Sequence, residues 1–130
     1  MKPPAGKQLY ETEISTYWMG DDGILYSVSK PPMRTIENCT ENFNTVKRIS
    51  GNKKIPLLTY LGMSAKPSKE TREFVARTLP EVYTAMAIVS ASALGKIVMN
   101  IIFSMSPPTI PMKTFSNDVD AKEWLKQYIP

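Results

Sequence analysis

Histidine is absent from all 130 residues of this chain, and cysteine occurs once, at Cys39. Imidazole is the commonest general base near neutral pH and the usual partner of a serine or cysteine nucleophile. Zinc, copper and non-haem iron sites also lean on it heavily. Its absence excludes Ser-His-Asp and Cys-His catalysis and most transition-metal sites; carboxylate pairs, lysine Schiff bases and hard-cation sites stay open. A lone cysteine forms no internal disulfide, so a disulfide-stapled secreted fold is excluded and a reducing cytoplasm is the expected location. Gly51, Gly62 and Gly95 form neither a G-x-G-x-x-G nor a Walker loop, so no phosphate-cradling motif is found. No apolar run follows the basic stretch Met1–Gln8, which is therefore no signal peptide and is expected to be a disordered lead-in over residues 1–8. The expectation from these absences is a non-enzymatic protein with no cofactor and no metal.

What is present fits one domain over residues 9–130. A hydrophobic content of 42% with 22% charged residues is that of an ordinary globular chain, long enough to bury its own core. Tyr10, Thr12, Ile14, Thr16 and Trp18 alternate with Glu11, Glu13, Ser15 and Tyr17, the period of a half-buried strand over Tyr10–Trp18. Gly20-Asp21-Asp22-Gly23 supplies a tight turn, and Ile24, Tyr26 and Val28 continue as the return strand until Pro31-Pro32. From Thr35 the period becomes helical, with Ile36, Cys39, Phe43 and Val46 on one face and a break at Ser50-Gly51-Asn52. Ile55–Leu61 reads as a strand buried on both faces. Ser68 is placed to cap a second helix carrying Phe74, Val75 and Thr78, which Pro80 is expected to end. Ala85–Val89 reads as a core strand. A third helix is expected over about Ala93–Met105, then a strand through Ile110, Met112 and Thr114, then a last helix after Ser116 with Ala121, Trp124, Leu125 and Tyr128 on one face.

The order is β-β-α-β-α-β-α-β-α, which predicts an α/β fold with a mixed, mostly parallel sheet of about five strands and about four helices. The stretch Ala85–Met105 carries a single charge, Lys96, over a length that would span a bilayer. A spanning helix would hold Lys96 in hydrocarbon at a cost of about 2.5–3.5 kcal/mol, so a buried strand followed by a buried helix is the preferred reading and no transmembrane segment is expected. In the third helix Leu94, Ile97, Val98, Ile101, Ile102 and Met105 form a core-facing stripe, while Met99 and Phe103 widen the apolar arc. Such a helix is either covered within the monomer or part of an interface. A two-fold homodimer through Met99 and Phe103 is the expected arrangement.

Charge and chemistry-bearing side chains add little. Lys47, Arg48, Lys53, Lys54, Lys66 and Lys69 fall in a stretch with no acidic residue, but the net charge is only +4 and no RNA- or DNA-binding motif accompanies it. No nucleic-acid partner is expected; attraction to acidic proteins or to an anionic lipid surface stays open. Cys39 lies in the apolar stripe of the first helix and reads as inert packing. Glu11 and Glu13 share an exposed strand face, and Asp21 and Asp22 alone in a turn point only weakly to calcium. Ser68 and Ser92 each stand where a helix should begin, where unpaired N–H groups face outward. Ser68, with Lys66 and Lys69, is therefore a candidate switch or anion site.

The segments Asp21–Leu25, Ile55–Leu61, Ser68–Phe74, Ala85–Leu94, Pro107–Pro111 and Phe115–Leu125, in this order and spacing, resemble the STAS domain of anti-sigma factor antagonists. More specifically, the chain resembles small bacterial single-domain SpoIIAA-like proteins, and the likeness covers residues 9–129. It implies a non-enzymatic regulatory module acting on a protein partner. In antagonist domains the loop after the third strand carries Asp-Ser-(Ser/Thr)-Gly with a phosphorylated serine. The matching segment here, Lys66-Pro67-Ser68-Lys69-Glu70, lacks the Asp-Ser pair and the glycine, so Ser68 alone falls near the phosphorylatable position and a capping role competes with a phospho-switch. An alternative function is a carrier or sensor of a small apolar or lipid ligand, with Met86, Met99, Met105 and Met112 lining a pocket between sheet and helices.

Overall fold

The computed structural model describes residues 3–62, 67–90, 92, 97 and 108–130. Among them six strands form one sheet whose spatial order equals chain order: β1 (Tyr10–Glu11), β2 (Ser15–Met19), β3 (Leu25–Ser29), β4 (Ile55–Tyr60), β5 (Tyr83–Val89) and β6 (Met112–Phe115). β1, β2 and β3 pair antiparallel, and β3 to β6 run parallel. Three α-helices are described, α1 (Ile36–Ser50), α2 (Lys69–Val82) and α3 (Asp118–Leu125), the last followed by a 3-10 turn at Lys126–Tyr128. The expected mixed, mostly parallel α/β architecture is therefore the one observed.

Alternate strand residues feed two cores. Tyr17, Leu25, Leu57 and Tyr83 pack with Cys39, Phe43 and Val46 of α1 and Leu79 and Val82 of α2. Trp18, Tyr26, Leu58, Ala85 and Ala87 pack with Ala121 and Leu125 of α3. Both faces of the central strands are covered, which is why Ile55–Tyr60 is apolar throughout except at Thr59.

The ends of α1 follow the sequence signals. The Thr35 hydroxyl accepts from Asn38 N–H at 3.1 Å while Asn38 Oδ1 accepts from Thr35 N–H at 2.7 Å, a reciprocal cap. Gly51 closes the helix with φ at +64°, a conformation that costs glycine nothing. At the other hairpin, Asp22 takes Tyr26 O–H on Oδ2 at 2.6 Å and Ile24 N–H on Oδ1 at 3.1 Å. Gly20 permits this, since a Cβ there would lie 2.5 Å from both Asp22 Oδ1 and Tyr26 Cε2.

Several sequence expectations are corrected. Tyr10–Trp18 is a hairpin of β1 and β2, not one strand, which raises the strand number from about five to six. Thr12 makes the turn: its N–H donates to Ser15 O at 2.9 Å, and Ser15 N–H donates to Thr12 Oγ1 at 3.0 Å. Helix α2 runs through Pro80 to Val82. Proline lacks the N–H that would bond the carbonyl four residues back, and the Thr109 hydroxyl fills that gap by donating to Ala76 O at 2.6 Å. The last strand starts at Met112, with Ile110 buried just before it. The cap of α3 is Asn117, whose Oδ1 accepts from Asp120 N–H at 2.9 Å.

The expected third helix, with Met99 and Phe103, lies outside the described residues apart from Ile97, which is 55% exposed and not in a core-facing stripe. Residues 85–89 belong to β5, so the apolar stretch 85–105 is not a single spanning helix. Among the described residues no helix is long and apolar enough to cross a membrane.

Candidate functional site

Because β3 and β4 are parallel neighbours, the helices that follow them start at the same end of the sheet, beyond the strands' carboxyl ends, where open α/β sheets place their ligands. A cleft of about 560 Å³ lies between the two helix starts, lined by Met33, Arg34, Thr35, Ile36 and Glu37 on one side and Ser68 and Thr71 on the other. Both N-cap residues, Thr35 and Ser68, belong to its wall. The Ser68 hydroxyl accepts from Thr71 N–H at 3.2 Å and lies 3.0 Å from Thr71 Oγ1. The side chain of Arg72 holds the entry to α2, its Nη1 donating to Pro67 O at 2.7 Å.

Arg34 lines both this cleft and a second, inner cavity of about 190 Å³ between the sheet and helices α1 and α2. Its Nη1 donates to the carbonyls of Lys30 (2.7 Å) and Pro32 (2.9 Å), and its Nη2 to Ile14 O (3.1 Å). Burial pushes the Arg34 guanidinium down from its ordinary value, and the nearby Cys39 and Tyr17 pull in the opposite direction. Burial pushes the Cys39 thiol up, which suits an inert packing residue.

The inner cavity is walled in part by polar side chains. Asn42 of α1 donates from Nδ2 to Tyr17 OH at 2.7 Å, and Ser27 Oγ donates to Thr59 Oγ1 at 2.8 Å across β3 and β4. Tyr17 and Tyr83 are both buried there, and burial raises both phenols. Met86 lines the same cavity, and Met112 packs against the surrounding core.

Of the predicted switch residues, Ser68 stands in the cleft wall. Lys69 is exposed outside it, with Nζ 3.9 Å from Glu73 Oε1, and Lys66 lies outside the described residues. Two residues of the site were not singled out from the sequence. Thr35 had a signal, the Thr-x-x-Asn spacing of a capping box with asparagine in place of Glu or Gln. Arg34 had none, being a lone cation after Pro31-Pro32.

The cap makes a direct test possible. Ser68→Ala is expected to cost about 1 kcal/mol of unfolding free energy, whereas Ser68→Asp keeps a good cap and adds favourable negative charge, leaving stability within about 0.5 kcal/mol of the parent. Urea denaturation of the two variants checks this pair of outcomes.

The sheet order, the leading hairpin and the helices on both faces define a SpoIIAA-like α/β domain. An uncharacterized protein of the DUF3478 family with a SpoIIAA-like fold, from Shewanella loihica PV-4, aligns with a TM-score of 0.55 at 14% identity, over 96% of this chain and 98% of that one. The family model described as "Domain of unknown function (DUF7793)" matches residues 17–129, and the chain belongs to that family. Among curated proteins none matches this chain.

Proposed function

We propose that this domain is a non-enzymatic regulatory module that binds a protein partner at the cleft between the starts of α1 and α2. The observation that carries the reading is the make-up of that cleft. Met33 is 51% and Ile36 41% exposed, and both stand beside two capped helix N-termini. Large apolar side chains in a concavity forgo up to about 1.5–3 kcal/mol each when left in water, and a partner's surface recovers that term. Methionine adapts well to such a surface. The SpoIIAA-like fold adds an analogy, since the STAS resemblance implies this mode of action.

Ser68 is the residue through which such binding would be switched. A phosphate on it carries about −1.5 to −2 charges at the start of a helix, where negative charge is favoured. The same oxygen already serves as the cap, so modification changes charge without removing an acceptor.

The test starts with cross-linking in the native cell, identification of the captured protein and reconstitution of the purified pair. Met33→Glu and Ile36→Glu are each expected to weaken the reconstituted complex at least tenfold while the urea midpoint stays put. Unchanged affinity in both variants overturns the assignment of this cleft. Turnover of a metabolite by the purified domain, lost on substitution of Glu37 or Arg34, overturns the non-enzymatic reading.

A further inference from the structure

The interior of this domain holds a feature that partner binding does not use. The inner cavity of about 190 Å³ shares one lining residue with the cleft, Arg34. Its three bonds to backbone carbonyls occupy three of the five N–H donors of a guanidinium. Among the described residues no carboxylate pairs with it: Glu37 shares the cleft yet forms no ion pair with Arg34, and the undescribed stretches contain no Asp or Glu. A cation half-buried without a counter-charge is costly, and an arriving anion would offset that cost. The cavity behind it is not a dry apolar void either. Ser15, Ser27, Thr59, Tyr17 and Tyr83 line it, the first, second, fourth and fifth of them almost wholly buried.

We propose that the inner cavity is a binding site for a small organic monoanion, of the size of one substituted ring, whose carboxylate meets Arg34 and whose polar substituent meets the hydroxyl-lined wall. Size sets the upper bound. A cavity of about 150 Å³ accommodates benzene, so about 190 Å³ takes one ring with one or two substituents and falls short of the roughly 300–1,000 Å³ of sites for larger ligands. Charge sets the valence. One guanidinium balances one negative charge, and a dianion such as a phosphate monoester would bring an uncompensated charge into a half-buried place. The wall sets the character: the Ser27–Thr59 hydroxyl pair and Tyr83 favour a hydroxylated ligand over a plain hydrocarbon, in contrast to the apolar ligand expected from the methionines.

Arg34 is shared with the partner cleft, but the ligand proposed for the cavity is a small molecule, so its test needs no protein partner. The ¹⁵N-labelled domain is titrated with 4-hydroxybenzoate and, separately, with phenol, which has the ring and hydroxyl without the charge. Saturable shifts at the amides of Ser27, Cys39 and Thr59, with the acid bound at least tenfold more tightly than phenol, are the expected result. In Arg34→Gln that preference is expected to vanish. Arg34 also ties three carbonyls; if this variant unfolds, the parent comparison stands alone, because the acid-to-phenol ratio already reads the charge. Equal affinity for the two probes, shifts confined to the outer surface, or no saturable shift at millimolar probe overturns the proposal.

Discussion

Above about pH 10 the folded protein is expected to lose stability progressively, by at most about 4 kcal/mol per pH unit, and to unfold cooperatively. Tyr17, Tyr26 and Tyr83 are almost wholly buried, and burial pushes all three phenols above their ordinary value; in Tyr26 the hydrogen bond to Asp22 and its charge add to the effect. In the unfolded chain each phenol releases its proton near pH 10, while the folded chain retains it. The unfolded state then binds fewer protons, so stability is intact below that pH and falls as pH rises through the interval between the two values. Each group contributes at most about 1.4 kcal/mol per pH unit while its unfolded form is ionised and its folded form is not, so three of them give at most about 4. Tyr60, partly exposed and held by Asp118 at 3.1 Å, is raised in the same direction and adds a smaller, solvent-screened share. Against a typical total of about 5–15 kcal/mol, a few pH units suffice. Urea melts at a series of pH values check the slope, and phenolate absorbance should rise together with unfolding. Ionisation of all six tyrosines near pH 10 in a protein that stays folded would refute the burial argument, and Tyr83→Phe should flatten the slope.

Leu58→Ala is expected to cost about 3–5 kcal/mol, in the upper part of the range for leucine truncation. Leu58 is 0% exposed in β4, with parallel neighbours on both sides and α3 above it. The size of the loss depends on whether neighbours can collapse into the hole. Here Leu58 pairs with Ala87 on one side and with the ring-bearing Tyr26 on the other, and its cluster includes Ala85, Ala87 and Ala121, whose methyl groups have no rotamer to swing into the gap. Leu61→Ala, one residue beyond the strand and 36% exposed, is the control and should cost less than about 1 kcal/mol. A shifted urea midpoint at unchanged m-value identifies the loss as one of stability. A loss below 1 kcal/mol in Leu58→Ala would mean that the α3 face repacks.

Elements that carry their own period and caps were legible in the sequence. For α1 the Ile36, Cys39, Phe43, Val46 stripe, the start at Thr35 and the stop at Gly51 all lie within one local stretch, and the structure has them there. The failures share a different cause. At residues 10–18 the alternation runs on without interruption through a turn, because the turn is made by the Thr12 hydroxyl and not by glycine or proline. At Pro80 the helix survives because Thr109, far along the chain, supplies the donor that proline lacks. The site divides along the same line. Ser68 was recognisable as a helix start from its immediate neighbours, whereas Arg34 acquires its position by reaching back to Ile14 O, a contact between segments twenty residues apart that no spacing rule encodes.

The late position of α3 has a consequence for biosynthesis. Every strand pairs with the one made just before it, so the sheet extends stepwise as the chain emerges, and α1 and α2 cover its first face along the way. Among the described residues the second face gains its covering helix only with α3: Trp18, Leu58, Ala85, Ala87 and Val89 pack with Ala121 and Leu125. Without α3 these described residues would present an apolar side to water, the kind of surface on which partly folded chains aggregate. Docking of Asp118–Leu125 is thus the step that separates a monodisperse newly made domain from one in need of a chaperone's shelter.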